Sequence, residues 1–191
     1  TQRIRDEYLV SGTMEQDELN FVYSFNDRLI VGGTVPVKTS VKLESIDPLK
    51  AGNFLDRREM GIINVGGKGI VIADDQKYNL NYKDALYLGS GVKNVEFQSE
   101  DSKNPARFYI NSAPAHKSFP SKRVTLADAE VAELGSLETS NARKINKLIV
   151  NSVVETCQLQ MGMTELQVGS VWNTMPPHVH SRRMEAYFYF E

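Results

Sequence analysis

Short β-rich runs cut off by turn signals dominate this chain. They fall at residues 29–31, 61–65, 70–73, 84–88, 92–97 and 108–110, and a fresh series begins at 148–150. Between them stand Gly66-Gly67, Asp74-Asp75, Gly89-Ser90-Gly91 and Lys103-Asn104-Pro105, residue types that turn the chain rather than extend it. Strands this short and this closely spaced predict a β-sandwich or barrel. The run from Thr156 to Thr164 alternates polar and apolar, the period of a half-buried antiparallel strand. It puts Cys157 on the apolar face as a core residue. Gly66-Gly67-Lys68-Gly69 lacks the strand-loop-helix context of a phosphate loop and reads as a hairpin turn.

One stretch breaks the pattern. Residues 126–134 combine helix formers with apolar residues at helical spacing, and Gly135 follows as a stop, so a short helix is expected there. Residues 118–147 around it are polar with little strand pattern. The chain therefore divides into a first β domain (1–117), a connection with a short helix (118–147) and the start of a second β domain (148–191). Asp56-Arg57-Arg58-Glu59 before one apolar run resembles Ser181-Arg182-Arg183-Met184-Glu185 before another, about 125 residues later, which suggests a duplicated domain.

Hydrophobic residues at 41% and charged residues at 24% are ordinary for a folded domain. A net charge of −2 argues against a broad nucleic-acid or membrane surface. The single cysteine excludes an intrachain disulfide framework or a thiolate metal cluster. No apolar run reaches the ~20 residues needed to cross a bilayer. Thr1 is not an initiator Met, and the last residues, 186–190, form an apolar run without a turn signal. The chain is therefore expected to be a piece of a longer protein.

Chemistry concentrates in Pro176-Pro177-His178-Val179-His180. In extended backbone, residues two apart share a face, so His178 and His180 can reach one point in space. A turn at Ser181-Arg182-Arg183 lets Glu185 reach the same point. Two imidazoles and a carboxylate suit zinc, iron, manganese or nickel. The alternative is a pair of surface histidines on an edge strand with a solvated glutamate nearby. Arg182 and Arg183 have the geometry to bind a substrate carboxylate. The recurrence of the pair before Glu59, where no histidines precede it, favours instead a structural or interface role. His116 reads as a satisfied structural histidine rather than a pocket residue.

His-x-His-x4-Glu before an apolar strand resembles the first metal motif of the cupin barrels. Asp27-Arg28-Leu29-Ile30-Val31-Gly32-Gly33 and the segments 57–67, 113–116, 155–166 and 172–185 resemble one cupin family, the 4-deoxy-L-threo-5-hexosulose-uronate ketol-isomerases. The resemblance implies an all-β bicupin, two jelly-roll barrels of which the second is truncated here. It implies conversion of 4-deoxy-L-threo-5-hexosulose uronate to 3-deoxy-D-glycero-2,5-hexodiulosonate in pectin breakdown. It also implies one zinc, held by His178, His180, Glu185 and a further histidine expected beyond the end of this chain. A cytoplasmic homo-oligomer, a hexamer, is expected with it. A different cupin metalloenzyme, such as a dioxygenase, and a non-catalytic sugar-binding bicupin are the alternatives. The first repeat carries Gly52, Asn53, Phe54 and Leu55 where the histidines would align, and so is expected to bind no metal.

The final run adds two expectations. Alternation puts Ala186, Phe188 and Phe190 opposite Glu185, where they need an apolar neighbour in another sheet or another chain. Tyr187 and Tyr189 fall on the side of Glu185. The Tyr187 phenol is a candidate catalytic donor to an enediolate oxygen or a substrate hydroxyl; the alternative is that both rings fill the barrel.

Overall fold

The computed structural model describes residues 1–173 and 179–191. A short exposed helix, α1 (Gln2–Tyr8), precedes a chain of strands. These are β1 (Leu19–Tyr23), β2 (Ile30–Thr34), β3 (Val41–Lys42), β4 (Arg58–Asn64), β5 (Gly69–Ala73), β6 (Gln76–Leu80) and β7 (Ala85–Leu88). They continue as β8 (Val95–Ser99), β9 (Phe108–Pro114), β10 (Lys122–Val124), β11 (Glu130–Leu134), β12 (Arg143–Ile149) and β13 (Met161–Leu166). The fold is nearly all β, and every strand pairing between these elements is antiparallel.

Three sheets stack in layers. The middle one has six strands in the order β1-β2-β9-β4-β7-β10; a four-stranded sheet, β3-β8-β5-β6, covers one face and β11-β12-β13 approaches the other. Two apolar cores follow from this. Met60, Ile62, Leu86, Leu88 and Ile110 meet Val71, Val95 and Phe97 in the first. Ile63, Ala85, Tyr87, Tyr109 and Val124 meet Leu148, Ile149, Leu159, Met161 and Met163 in the second. A central strand covered on both faces needs no polar alternation, which is why β4 is buried at every position. Gly61 marks the closest approach of the layers. A Cβ there would lie 2.3 Å from Met161 Sδ and 2.8 Å from Ile149 Cδ1.

The strand runs of the first β series all lie in or overlap strands, but four local expectations change. Residues 126–134 are not a helix. A single 3₁₀ turn, Leu126–Asp128, closes a capping box with Thr125, and then the chain extends as β11. Glu130 and Glu133 stand opposite Lys147 and Lys144 and form ion pairs with them at 2.5 and 3.2 Å. Cross-strand partners thus override helix propensity. The expected connection accordingly contains β10, β11 and the start of β12. β11 carried no strand signature because no residue in it is fully buried.

The alternating run at 156–164 is strand only from Met161 onward. Cys157 is partly exposed rather than core, with its thiol on the Lys117 carbonyl at 3.2 Å. Gly66 to Gly69 is no hairpin, because it carries the chain from the six-stranded to the four-stranded sheet. Residues 186–190 join no strand ladder, yet their alternation survives. Ala186, Phe188 and Phe190 pack against the second core, and Phe188 stacks on Tyr109 with centroids 4.8 Å apart. Their apolar neighbour lies in this same chain.

Candidate functional site

A bend at Ser181-Arg182 brings Glu185 back against His180. Glu185 Oε1 lies 3.0 Å from His180 Nε2, while Arg183 Nη2 lies 3.0 Å from Nδ1 of the same ring. The same guanidinium nitrogen lies 3.3 Å from Nε2, within donating distance of both ring nitrogens. The other carboxylate oxygen accepts the Tyr187 hydroxyl at 2.9 Å. That hydrogen bond, then His180 and the nearby Arg183, hold the Glu185 carboxyl below its usual range against partial burial. The same bond pushes the Tyr187 phenol up. Tyr187 is 66% exposed and Tyr189 85%, so neither ring fills an interior.

His178 lies outside the described residues. Among the described residues, no three His, Cys, Asp or Glu side chains converge as a metal cage. His180 and Glu185 do converge. An imidazole nitrogen beside a carboxylate oxygen is donor chemistry that fits zinc and its neighbours.

The pair sits beside a cavity of about 470 Å³ lined by Arg182, Arg183, Glu185 and Tyr187 on one side. Asn111 of β9, Asp27 and the loop residues Gln158 and Gln160 form other parts of its wall. The two arginines differ. Arg183 is engaged by His180 and stands 4.0 Å from Glu185, whereas Arg182 has no hydrogen bond or ion pair among the described residues. The similar pair earlier in the chain, Arg57-Arg58, is structural. Arg57 caps the carbonyls of Leu49 and Lys50. Arg58, buried and pulled down to about 10 by that burial, binds Ser112 Oγ and the carbonyls of Arg28 and Ser112.

Glu59, which follows that earlier basic pair as Glu185 follows the later one, is fully buried and has a different task. One oxygen accepts Tyr87 Oη and Cys157 N–H, both at 2.8 Å; the other accepts Gln158 N–H at 2.8 Å and Leu159 N–H at 2.7 Å. Burial and the facing carboxylate push the Tyr87 phenol far up. Three successive amides aimed at one anion form a nest. They also explain why residues 157–159 cannot run as a strand, whose amides alternate in direction. Beside Glu59, Phe54 and Leu55 are core residues and the Asn53 amide is held by Asp56. His116 is exposed and makes no hydrogen bond among the described residues, so its reading as a satisfied structural histidine does not hold.

Sequence reasoning missed Asn111 and the clasp at Glu59. Asn111 had one available signal: it is a polar residue between Tyr109 and Ala113 at the inward positions of an otherwise apolar strand face.

Fold and site together define an antiparallel β protein with an imidazole–carboxylate pair beside an arginine-lined cavity. The chain belongs to the KduI/IolB family, whose model matches residues 8–191. It is 63% identical to the 4-deoxy-L-threo-5-hexosulose-uronate ketol-isomerase of Bacteroides fragilis over 191 residues, all of this chain and 68% of that protein. It is 62% identical to ketol-isomerase 1 of Bacteroides thetaiotaomicron over the same share of each. An IolB-like protein from Salmonella typhimurium shares the fold at a TM-score of 0.60 and 16% identity, covering 78% of this chain and 56% of that one.

Proposed function

We propose that this chain carries the ketol-isomerase activity of its relatives. The reaction converts 4-deoxy-L-threo-5-hexosulose uronate to 3-deoxy-D-glycero-2,5-hexodiulosonate in the breakdown of pectin-derived uronates. The carrying observation is the His180–Glu185 pair beside a cavity with an unengaged arginine, in a chain 63% identical to enzymes of that name. We assign one zinc to His178, His180, Glu185 and a further histidine expected after residue 191. Bound there, zinc supplies an electrophile for the substrate carbonyl without redox chemistry of its own.

The chain's own residues then divide the remaining work. Arg182, rather than Arg183, binds the substrate carboxylate, since Arg183 is engaged in orienting His180. Tyr187 acts through Glu185, holding one carboxylate oxygen so that the other faces His180. The same reading takes the architecture as a metal-free cupin domain (1–117), a connection (118–147) and the start of a metal-binding cupin domain (148–191). It includes a cytoplasmic location and a homo-oligomer, with hexamers expected.

The test is metal analysis of the intact protein, followed by an isomerase assay with and without chelator. One zinc per protomer and chelator-sensitive isomerisation are expected. Bound iron with oxygen-dependent turnover would replace this reading with an oxygenase, and sugar binding without turnover would leave a binding protein. Light scattering at micromolar concentration reads the oligomer, and a monomer there would remove that part.

A further inference from the structure

A second depression lies at the other end of the middle sheet. The His180–Glu185 cavity adjoins Ala113, which pairs with Glu59 near the start of β4. Where β4 ends, roughly 15 Å further along the strand, three chain segments meet around the fully buried Asn64. The Asn64 amide donates to the carbonyls of Gly67 and Leu80 at 2.7 and 3.0 Å, and its oxygen accepts the Gly66 and Arg107 N–H groups at 3.1 Å. The Val65 and Gly67 N–H groups close on the Arg107 and Pro105 carbonyls at 2.8 and 2.9 Å. A Cβ on Gly67 would lie 1.9 Å from the Asn104 carbonyl oxygen, so no side chain fits between the segments. The floor is therefore backbone held by hydrogen bonds, with side chains only around it. They enclose about 670 Å³ and include Lys68, Lys103, Arg107, Asn81, Asn104 and Tyr82, with no carboxylate among the lining residues. The three cationic side chains make no hydrogen bond or ion pair among the described residues, and neither do the Asn81 and Asn104 amides. Two acids stand nearby but do not neutralise them. Asp101 accepts the Lys103 backbone N–H at 2.9 Å, and Glu191, on the Tyr82 hydroxyl, pairs with Lys83. Like charges in one depression repel, and an anion placed among them relieves that repulsion.

We propose that this depression binds a phosphorylated sugar, with its phosphate on Lys68, Lys103 and Arg107 and its hydroxyls on the Asn81 and Asn104 amides. A phosphate monoester carries about two charges at neutral pH and presents an acceptor oxygen to each of the cations. A carboxylate brings a single charge and leaves a cation unanswered. Each amide offers both a donor and an acceptor, which suits hydroxyls. Inorganic phosphate would use the cations and leave the amides idle. The sugar acid of the isomerase reading belongs to the other cavity, so this inference stands apart from that reading.

Calorimetric titration of the intact protein with glucose 6-phosphate, inorganic phosphate and glucose tests it. Glucose 6-phosphate is expected to bind roughly 10-fold more tightly than inorganic phosphate, and glucose not to bind. Lys103→Gln combined with Arg107→Gln, both at exposed positions, should weaken glucose 6-phosphate by about 10-fold or more and preserve Tm. Arg182→Gln, in the other cavity, should leave that affinity unchanged. If the double variant fails to fold, Lys68→Gln is read in the same way. No binding of glucose 6-phosphate at millimolar concentration overturns the inference, as does equal binding of the two phosphates or affinity kept in the folded variant. Binding lost in Arg182→Gln would move the ligand to the His180–Glu185 cavity and overturn it equally.

Discussion

At the scale of single residues, Glu59 and Glu185 show how one side chain serves two ends in two sequence contexts. Both follow a basic pair, but Glu185 stays near an imidazole and partly open, while Glu59 lies at 0% exposure with four donors around it. Replacing Glu59 with Ala leaves three amides and a phenol without their acceptor. A loss of about 3 kcal/mol or more is expected, read as a lower urea midpoint at unchanged m-value. The released loop should also make the Cys157 thiol react faster with a disulfide reagent. A midpoint and a thiol rate both equal to wild type would show that the clasp is dispensable. Tyr187→Phe tests the other glutamate. Because the hydroxyl holds Glu185, its loss should weaken affinity for the proposed zinc by roughly 10–100-fold, measured by competition with a chelator. Metal affinity at the wild-type value with a fall in kcat would return the phenol to the role of a direct donor to substrate.

At the scale of elements, β13 is fixed to the middle sheet by charge as well as by packing. Lys83, at the entrance to β7, meets Glu165 of β13 at 2.5 Å, and Asn146 of β12 donates to the other Glu165 oxygen at 2.8 Å. The Lys83 hydrogen bond, with smaller help from Asn146 and Lys144, holds the Glu165 carboxyl below its usual range. A carboxyl depressed in the folded state stabilises above its unfolded pKa, and that contribution fades as pH falls through the folded value. Over that interval the unfolded chain binds more protons, so stability rises with pH. Glu165→Gln should therefore flatten the acid limb of the stability profile below about pH 4.5 and leave the neutral plateau lower by roughly 1 kcal/mol. A parallel acid limb in the variant would assign the acid sensitivity elsewhere.

At the scale of the whole molecule, the six-stranded sheet is the shared wall of two cores, and Gly61 sets how closely the third layer can approach it. Gly61→Val drives carbon into Met161, Ile149 and Leu159. Overpacking of about 1–3 kcal/mol is expected, directed at one core only. Hydrogen exchange should accelerate in β12 and β13 while β5 and β8 keep their protection. Uniform acceleration throughout would mean that the layers unfold as one unit.

What the sequence determined by itself was local. The strand runs of the first β series, their turns, the inward Ala186, Phe188 and Phe190, and the nearness of His180 to Glu185 depend on residues within a few positions of each other. Backbone period and turn chemistry act over that distance. The tertiary structure decided whatever depends on a distant partner. Residues 126–134 became a 3₁₀ turn and a strand because Lys144 and Lys147 stood opposite Glu133 and Glu130. Residues 157–159 left their strand pattern because a carboxylate about 100 residues earlier drew their amides together. Asn111 joined the cavity because the chain folded its last segment against β9. Propensity is a weak preference per residue, and a buried carboxylate or a cross-strand ion pair outweighs it.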